Sequence, residues 1–128
     1  MTPIEDILIL SGNRTAIGSF GGSLSGLSPA DLGTVAAKAA IGNAGVDATA
    51  IDHAVFGHII TTAPQDAYLA RHIALNAGLA QSSAAMNVNR LFERSTPCAQ
   101  LARNHILTNR MSGMAHLASE EKTMEVTV

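Results

Sequence analysis

Short apolar runs recur along the N-terminal part of the chain, separated by polar and glycine-rich stretches. The first run covers residues 7–10, the second covers residues 54–60, and the third covers residues 84–89. In the third run the polar Asn87 and Asn89 alternate with apolar neighbours. Short aliphatic runs of this kind predict strands that lie in a buried parallel sheet.

A helix is predicted between the first and second runs. Ser28 can act as its N-cap, Pro29 suits the first helical position, and Asp31 favours the positive end of the helix dipole. Gly45 is the expected C-terminal stop. The apolar positions in between follow a helical period and are Leu32, Val35, Ala36, Ala39 and Ala40.

A second helix is predicted between the second and third runs. It opens at residues 64–66, which read Pro-Gln-Asp, and it ends at Gly78. Its candidate buried residues are Leu69, Ile73 and Leu75. Strand, helix, strand, helix, strand is the βαβαβ pattern, so we predict an α/β fold with a layered sheet.

The remaining segments predict a loop and a less regular C-terminal part. Residues 11–26 are rich in glycine and serine and predict a loop. Residues 95–97, Ser-Thr-Pro, can begin a further helix, one face of which would contain Cys98, Leu101, Ala102, His105 and Ile106. Beyond residue 110 the sequence lacks a clear period, so we expect a frayed or disordered tail.

Composition narrows the class of protein. The chain has 128 residues, of which 47% are apolar and only 3% aromatic, so one small core must be built from aliphatic side chains. A net charge of −2 argues against a nucleic-acid partner. No apolar run approaches the roughly 18 to 20 residues of a membrane span, and the N-terminus does not resemble a signal peptide. The single cysteine fits a reducing compartment, so we expect a cytoplasmic protein.

Four segments, in this order and spacing, carry a resemblance to the thiolase family, most closely to its acetyl-CoA acetyltransferases. They are residues 9–22, residues 27–33, residues 52–58, and residues 86–91, which read MNVNRL. The resemblance implies the five-layered thiolase architecture, of which this chain would form the first part of the N-terminal α/β domain. It also implies coenzyme A thioester substrates, with no further cofactor, and a homo-oligomer.

The resemblance places the family's nucleophilic cysteine, the first residue of a Cys-Gly-Ser-Gly motif, directly after residue 91. This chain has Phe92 at that position and Glu93 in place of the following glycine. The family's chemistry needs a thiolate at a helix N-terminus, and a phenylalanine cannot form an acyl-thioester. The family's second cysteine and its Gly-His-Pro histidine are also missing from the sequence.

Two functions follow from this comparison. The first is the family's activity, an acetyl-CoA C-acetyltransferase that moves acyl groups between coenzyme A thioesters through an acyl-cysteine. The alternative is a catalytically dead, truncated thiolase fragment that acts at most as an association module. We accordingly predict a partial thiolase N-terminal domain over residues 4–91, and a divergent helix with a disordered tail over residues 92–128.

Cys98 is the candidate for a substitute nucleophile, because Pro97 before it suggests a helix N-terminus that would lower the thiol pKa. We favour instead an inert thiol on an amphipathic helix, since no adjacent base is recognisable and a displaced nucleophile loses the geometry that catalysis requires. The sequence contains no other cysteine.

The other candidate residues favour structural roles. The histidines show no metal-ligand spacing, and His58 in particular is interpreted as structural or interfacial; they are His53, His58, His72, His105 and His116. Residues 18–26 contain neither a P-loop nor a dinucleotide fingerprint. Asn13 and Arg14 lie at the C-terminal end of the first strand, at the edge where ligands gather in open sheets, although a structural hydrogen-bonding role is preferred. Asn87 and Asn89 are expected to satisfy backbone groups where the sheet meets a loop or a partner.

Overall fold

The computed structural model describes residues 9–89 together with the backbone of residues 114–118 and 123–127. These residues form five strands and two α-helices: β1 (Ile9–Arg14), α1 (Pro29–Ala44), β2 (His53–Gly57), α2 (Leu69–Asn76), β3 (Ala84–Val88), β4 (Met114–Ala118) and β5 (Thr123–Thr127). Two short 3₁₀ helices connect them, the first at Ala48–Ala50 and the second at Pro64–Tyr68. The predicted α/β class is confirmed.

The strands form one mixed sheet in the order β1-β5-β4-β2-β3. β2 is parallel to both β3 and β4, whereas β5 runs antiparallel to β4 and β1. Four strands therefore share one direction and β5 alone opposes them within the described residues. In the register of β2 and β3, Gly57 lies opposite Val88, so the two strands end side by side.

Helix α1 begins and ends where the sequence predicts. The Ser28 hydroxyl accepts a hydrogen bond from the Asp31 amide at 3.1 Å, and the Asp31 carboxylate accepts one from the Ser28 amide at 3.0 Å, which together form a capping box. At the other end Gly45 has a φ of 69°, in the left-handed region that glycine adopts without strain.

The face that α1 turns to the core differs in part from the predicted stripe. Ala36 and Ala40 are buried as expected, but Ala39 is exposed and Val35 is 60% exposed. Their places in the core are taken by the flanking residues Gly33, Ala37 and Ile41. The burial pattern shows that the core lies on the small-residue side of the helix, and alanine and glycine allow its backbone to approach its neighbours closely.

The second helical segment is divided. Residues Pro64–Tyr68 form a 3₁₀ helix, and α2 begins only at Leu69. Leu69 and Ile73 are buried as predicted, whereas Leu75 is 41% exposed, so its prediction as a core residue is wrong. Gly78, with a φ of 98°, follows the end of the helix as expected.

The described core lies between the sheet and a layer made by both helices. α1 packs against β1, β5 and α2, and α2 packs in turn against β2 and β3. Ala54 and Phe56 of β2 join this cluster together with Ile51, while Val55 is buried on the opposite side of the strand. β2 is therefore buried on both faces, as its continuous apolar run predicts.

Three sequence expectations need correction or lie outside the described residues. β1 extends through Arg14 instead of ending at residue 10, because its polar half pairs with β5. The expectation of a disordered tail is wrong for β4 and β5, since pairing with distant strands fixes segments too short to show a period. The predicted helix that contains Cys98 lies outside the described residues.

Within the described part, no helix is long and apolar enough to cross a membrane.

Candidate functional site

Polar side chains converge where β2 and β3 end beside the second 3₁₀ helix. We call this group the Asp66 cluster; it consists of His58, Thr62, Asp66, Asn87 and Asn89. The carboxyl ends of parallel strands are where ligands bind in open α/β sheets. The cluster also borders the point at which the chain leaves β3 towards residue 92.

Asp66 is the centre of the cluster and is only 2% exposed. One oxygen of its carboxylate, Oδ2, accepts hydrogen bonds from the Thr62 hydroxyl at 2.7 Å, the Thr62 amide at 2.8 Å and the Ala63 amide at 3.0 Å. The bond from the Thr62 hydroxyl is the largest cause that holds the pKa of Asp66 below its ordinary value, against the opposing effect of burial. The carboxylate is therefore charged at neutral pH, and it fixes the loop that follows β2.

Asn87 connects β3 to the start of α2. Its side-chain oxygen accepts from the Ala70 amide at 2.8 Å, and its Nδ2 donates to the carbonyl groups of Asp66 at 3.2 Å and Ala67 at 3.0 Å. Tyr68, at the N-cap position of α2, makes no side-chain cap. Asn87 therefore caps this helix from a neighbouring strand, which confirms its predicted role of satisfying backbone groups.

Asn89 and His58 complete the cluster at the ends of the two strands. Asn89 donates from Nδ2 to the Ile59 carbonyl at 3.3 Å, again as predicted for a residue that satisfies backbone groups. The His58 amide donates to the Val88 carbonyl at 2.9 Å, which extends the β2–β3 ladder by one bond. The His58 side chain is buried, and its Nε2 lies 4.0 Å from the Asp66 Oδ2. Among the described residues, this nitrogen has no hydrogen-bond partner.

Arg71 binds the segment just before β3, a contact that the sequence did not predict. Its guanidinium donates to the Ser83 carbonyl at 2.6 Å and to the Gln81 carbonyl at 2.7 Å. A single arginine on a helix gives no sequence signal of such a contact. The sequence also did not predict Asp66 as the centre of a polar cluster, because its position after Pro64 indicated only the start of a helix.

The candidates at the end of β1 are not part of this cluster. Asn13 accepts a hydrogen bond from the Asn43 side chain at 3.1 Å, in agreement with a structural role, and Arg14 is exposed. Because β5 and β4 separate β1 from β2, the two strand ends are roughly 14 Å apart. The sequence therefore named polar residues at two separate places on the sheet edge.

The other candidate residues give no second site. Within residues 18–26, Gly21 has a φ of 67° and the Gly22 amide donates to the Ser19 carbonyl at 2.9 Å, the geometry of a tight turn. In the described part of the chain, no group of three or more histidine, cysteine or acidic residues could hold a metal ion. Phe92, Cys98 and His105 lie outside the described residues, and so does the side chain of His116.

Comparison with known proteins identifies the family. A model of the thiolase N-terminal domain family matches residues 7–123, which extends past residue 91, where the recognisable motifs end. The chain is 44% identical over 87 residues to the beta-ketothiolase BktB of Cupriavidus necator, a match that covers 68% of this chain and 22% of that protein. An acetyl-CoA acetyltransferase of the same organism is 36% identical over 104 residues, covering 81% of this chain and 26% of the relative.

A solved structure shows the same likeness. The crystal structure of human mitochondrial 3-ketoacyl-CoA thiolase in complex with CoA superimposes with a TM-score of 0.82 and 26% identity, covering 85% of this chain and 28% of that one. The chain thus spans about a quarter of the length of the relatives named above. The family match over most of the chain and the shared fold show that the chain belongs to the thiolase family.

Proposed function

We propose that this chain provides the N-terminal α/β framework of a thiolase-type acyltransferase, whose substrates are coenzyme A thioesters such as acetyl-CoA. The support is the family match and the structural likeness to a thiolase crystallised with CoA. In the proposed reaction a cysteine thiolate attacks the thioester carbonyl and releases the coenzyme A thiolate, and the acyl group then passes to a second acceptor. The reaction uses no cofactor beyond its thioester substrate.

The chain in its present sequence would not carry out the first step at the family's position. Phe92 follows directly on the MNVNRL segment, and its side chain has no lone pair to attack a carbonyl. This single observation favours a framework without its nucleophile. Asn89, three residues earlier at the end of β3, donates a hydrogen bond to the Ile59 carbonyl.

Acylation by acetyl-CoA tests the proposal. The chain is incubated with acetyl-CoA, quenched in acid and analysed by intact-mass and peptide mass spectrometry, in parallel with Phe92→Cys, Cys98→Ala and the double variant. We expect no acetyl group on the unmodified chain, and one on residue 92 in both variants that contain the new cysteine. Acetylation of the unmodified chain that disappears in Cys98→Ala would favour acyl transfer through Cys98 instead.

A second candidate function is self-association through the exposed edge of β3. β3 is at one end of the described sheet and contains neither a charged residue nor a proline, the features that normally protect an edge strand. Two large apolar side chains in the adjoining connection between β2 and α2 are also exposed, Ile60 at 64% and Tyr68 at 70%. An unprotected edge next to apolar surface favours pairing with another chain.

Light scattering coupled to size-exclusion chromatography tests this second function. Ala84 is an exposed residue of β3, so Ala84→Lys introduces a charge at the edge, and Ala39→Lys does the same at an exposed position of α1 as a matched control. We expect concentration-dependent association of the unmodified chain and of Ala39→Lys, and a monomer for Ala84→Lys. A monomeric unmodified chain at all concentrations would rule the function out.

A further inference from the structure

We propose that His58 and Asp66 form a proton-operated latch, which tightens the loop after β2 onto the ends of β2 and β3 when His58 becomes protonated. The proposal concerns the described residues alone and does not depend on acyl transfer. It starts from an unusual arrangement: a buried imidazole nitrogen without a hydrogen-bond partner in the described part of the chain faces a buried carboxylate.

The geometry places the two groups just beyond hydrogen-bond distance. His58 Nε2 and Asp66 Oδ2 are 4.0 Å apart, and their side chains are 8% and 2% exposed. A charge-assisted N–H···O bond is about 2.8 Å long, so a movement of roughly 1.2 Å would form one. Because both groups are shielded from water, such a bond is less screened than a surface ion pair.

Protonation of His58 strengthens this bond and guarantees its donor. Asp66 Oδ2, the same oxygen that faces His58, accepts three hydrogen bonds from Thr62 and Ala63, and these bonds favour the negative charge at neutral pH. Protonation of His58 adds a positive charge and ensures an N–H on the nitrogen that faces this carboxylate. Protonation of the imidazole therefore closes the latch, and loss of that proton opens it.

No other charged group in the described part of the chain competes at this position. From α2, the Arg71 guanidinium is bound to the Ser83 and Gln81 carbonyls before β3, and His72 is exposed. β3 contains no titratable residue. β4, on the other side of β2, carries His116 in register with Val55, and His53 lies at the opposite end of β2.

Closing of the latch would affect the backbone of the loop after β2, because Asp66 is bonded to it. Asp66 binds the amides of Thr62 and Ala63, and its own carbonyl is bound by Asn87 of β3. A carboxylate held by His58 as well would move less freely, so both amides would open less often. The part of the sheet edge that leads towards residue 92 would thus be stiffer at low pH than at high pH.

Amide hydrogen exchange followed by NMR tests the latch. For the unmodified chain we expect the protection of the Thr62 and Ala63 amides, corrected for the intrinsic dependence of exchange on pH, to rise roughly fivefold to tenfold from pH 8 to pH 5.5. In His58→Gln the rise should vanish, and in Asp66→Asn likewise. His72→Gln, which replaces an exposed histidine, is the control and should behave as the unmodified chain.

A rise of the same size in His58→Gln would overturn the proposal, and so would unchanged protection in the unmodified chain. If the variants do not fold, the imidazole resonances of the unmodified chain provide the decisive measurement. The His58 ring and the Thr62 and Ala63 amides must then titrate with one common midpoint, and separate midpoints would refute the latch.

Discussion

Replacement of Asn87 by alanine should lower the free energy of unfolding more than replacement of an exposed asparagine, because Asn87 joins β3 to α2. The substitution removes three hydrogen bonds, of 2.8, 3.0 and 3.2 Å. It leaves the Ala70 amide without its acceptor in the first turn of α2, where amides have no partner within the helix. Loss of an N-cap costs about 0.5–2 kcal/mol, and a polar group left unsatisfied in a buried place costs about 1–3 kcal/mol.

Because Asn87 is half-buried, water can bind some of the backbone groups that lose their partner. We therefore expect a loss of about 1.5–2 kcal/mol in the free energy of unfolding. Urea denaturation followed by circular dichroism measures it. With an m-value of about 1.5 kcal/mol/M, the midpoint should fall by about 1 M.

Asn43→Ala is the matched control for this measurement. Asn43 is exposed and makes one side-chain hydrogen bond, to Asn13, so its replacement should cost less than about 0.5 kcal/mol. Asn87→Asp keeps an acceptor for the Ala70 amide but turns an oxygen towards two carbonyl groups, and should also destabilise the chain at neutral pH. Equal midpoints for Asn87→Ala and Asn43→Ala would show that the strand does not cap the helix.

Three further outcomes follow from the core, a helix end and the buried carboxylate. Ile73→Ala, at a fully buried position, should cost about 2–5 kcal/mol in urea denaturation, against less than about 1 kcal/mol for the half-exposed Leu75→Ala. Gly45→Ala should lower the free energy of unfolding by about 1–2 kcal/mol, because Gly45 has a φ of 69°. Gly42→Ala, inside the same helix, should raise it. A change in the same direction for both variants would contradict the role of Gly45 as the left-handed end of α1. Hydrogen bonds, first of all from the Thr62 hydroxyl, hold the pKa of Asp66 below 3.8. The charged carboxylate therefore stabilises the fold fully above that pH, and this stabilisation is lost on acidification. The chain should therefore lose stability more steeply than Asp66→Asn as the pH falls below about 4, and equal slopes there would refute the assignment.

The sequence predicted those elements whose determinants are local. The Ser28 and Asp31 capping box, the proline at the first helical position and Gly45 lie within one helix and its ends, and the structure places all of them as expected. The continuous apolar run of β2 predicted a strand buried on both faces, which is also observed. In each case a few neighbouring residues contain the whole signal.

The elements that sequence reasoning missed depend on residues far away in the chain. β4 and β5 are five residues each, and what fixes them is pairing with β2 and β1, which no local pattern records. The Asp66 cluster shows the same limit. Asn87 was correctly interpreted as a residue that satisfies backbone groups, but its partners lie 17 to 21 residues away and could not be named.

The described residues at the ends of β2 and β3 form the framework on which the proposed acyltransferase function rests. The hydrogen bonds that hold the ends of β2 and β3 come from Asp66, Asn87 and Asn89. The core that supports them is aliphatic and lies between the sheet and the two helices. Under the proposed function, Phe92 stands where the nucleophilic cysteine is expected, and its side chain cannot accept an acyl group. Phe92→Cys is therefore the informative variant, since it asks whether this framework is sufficient to present a reactive thiol.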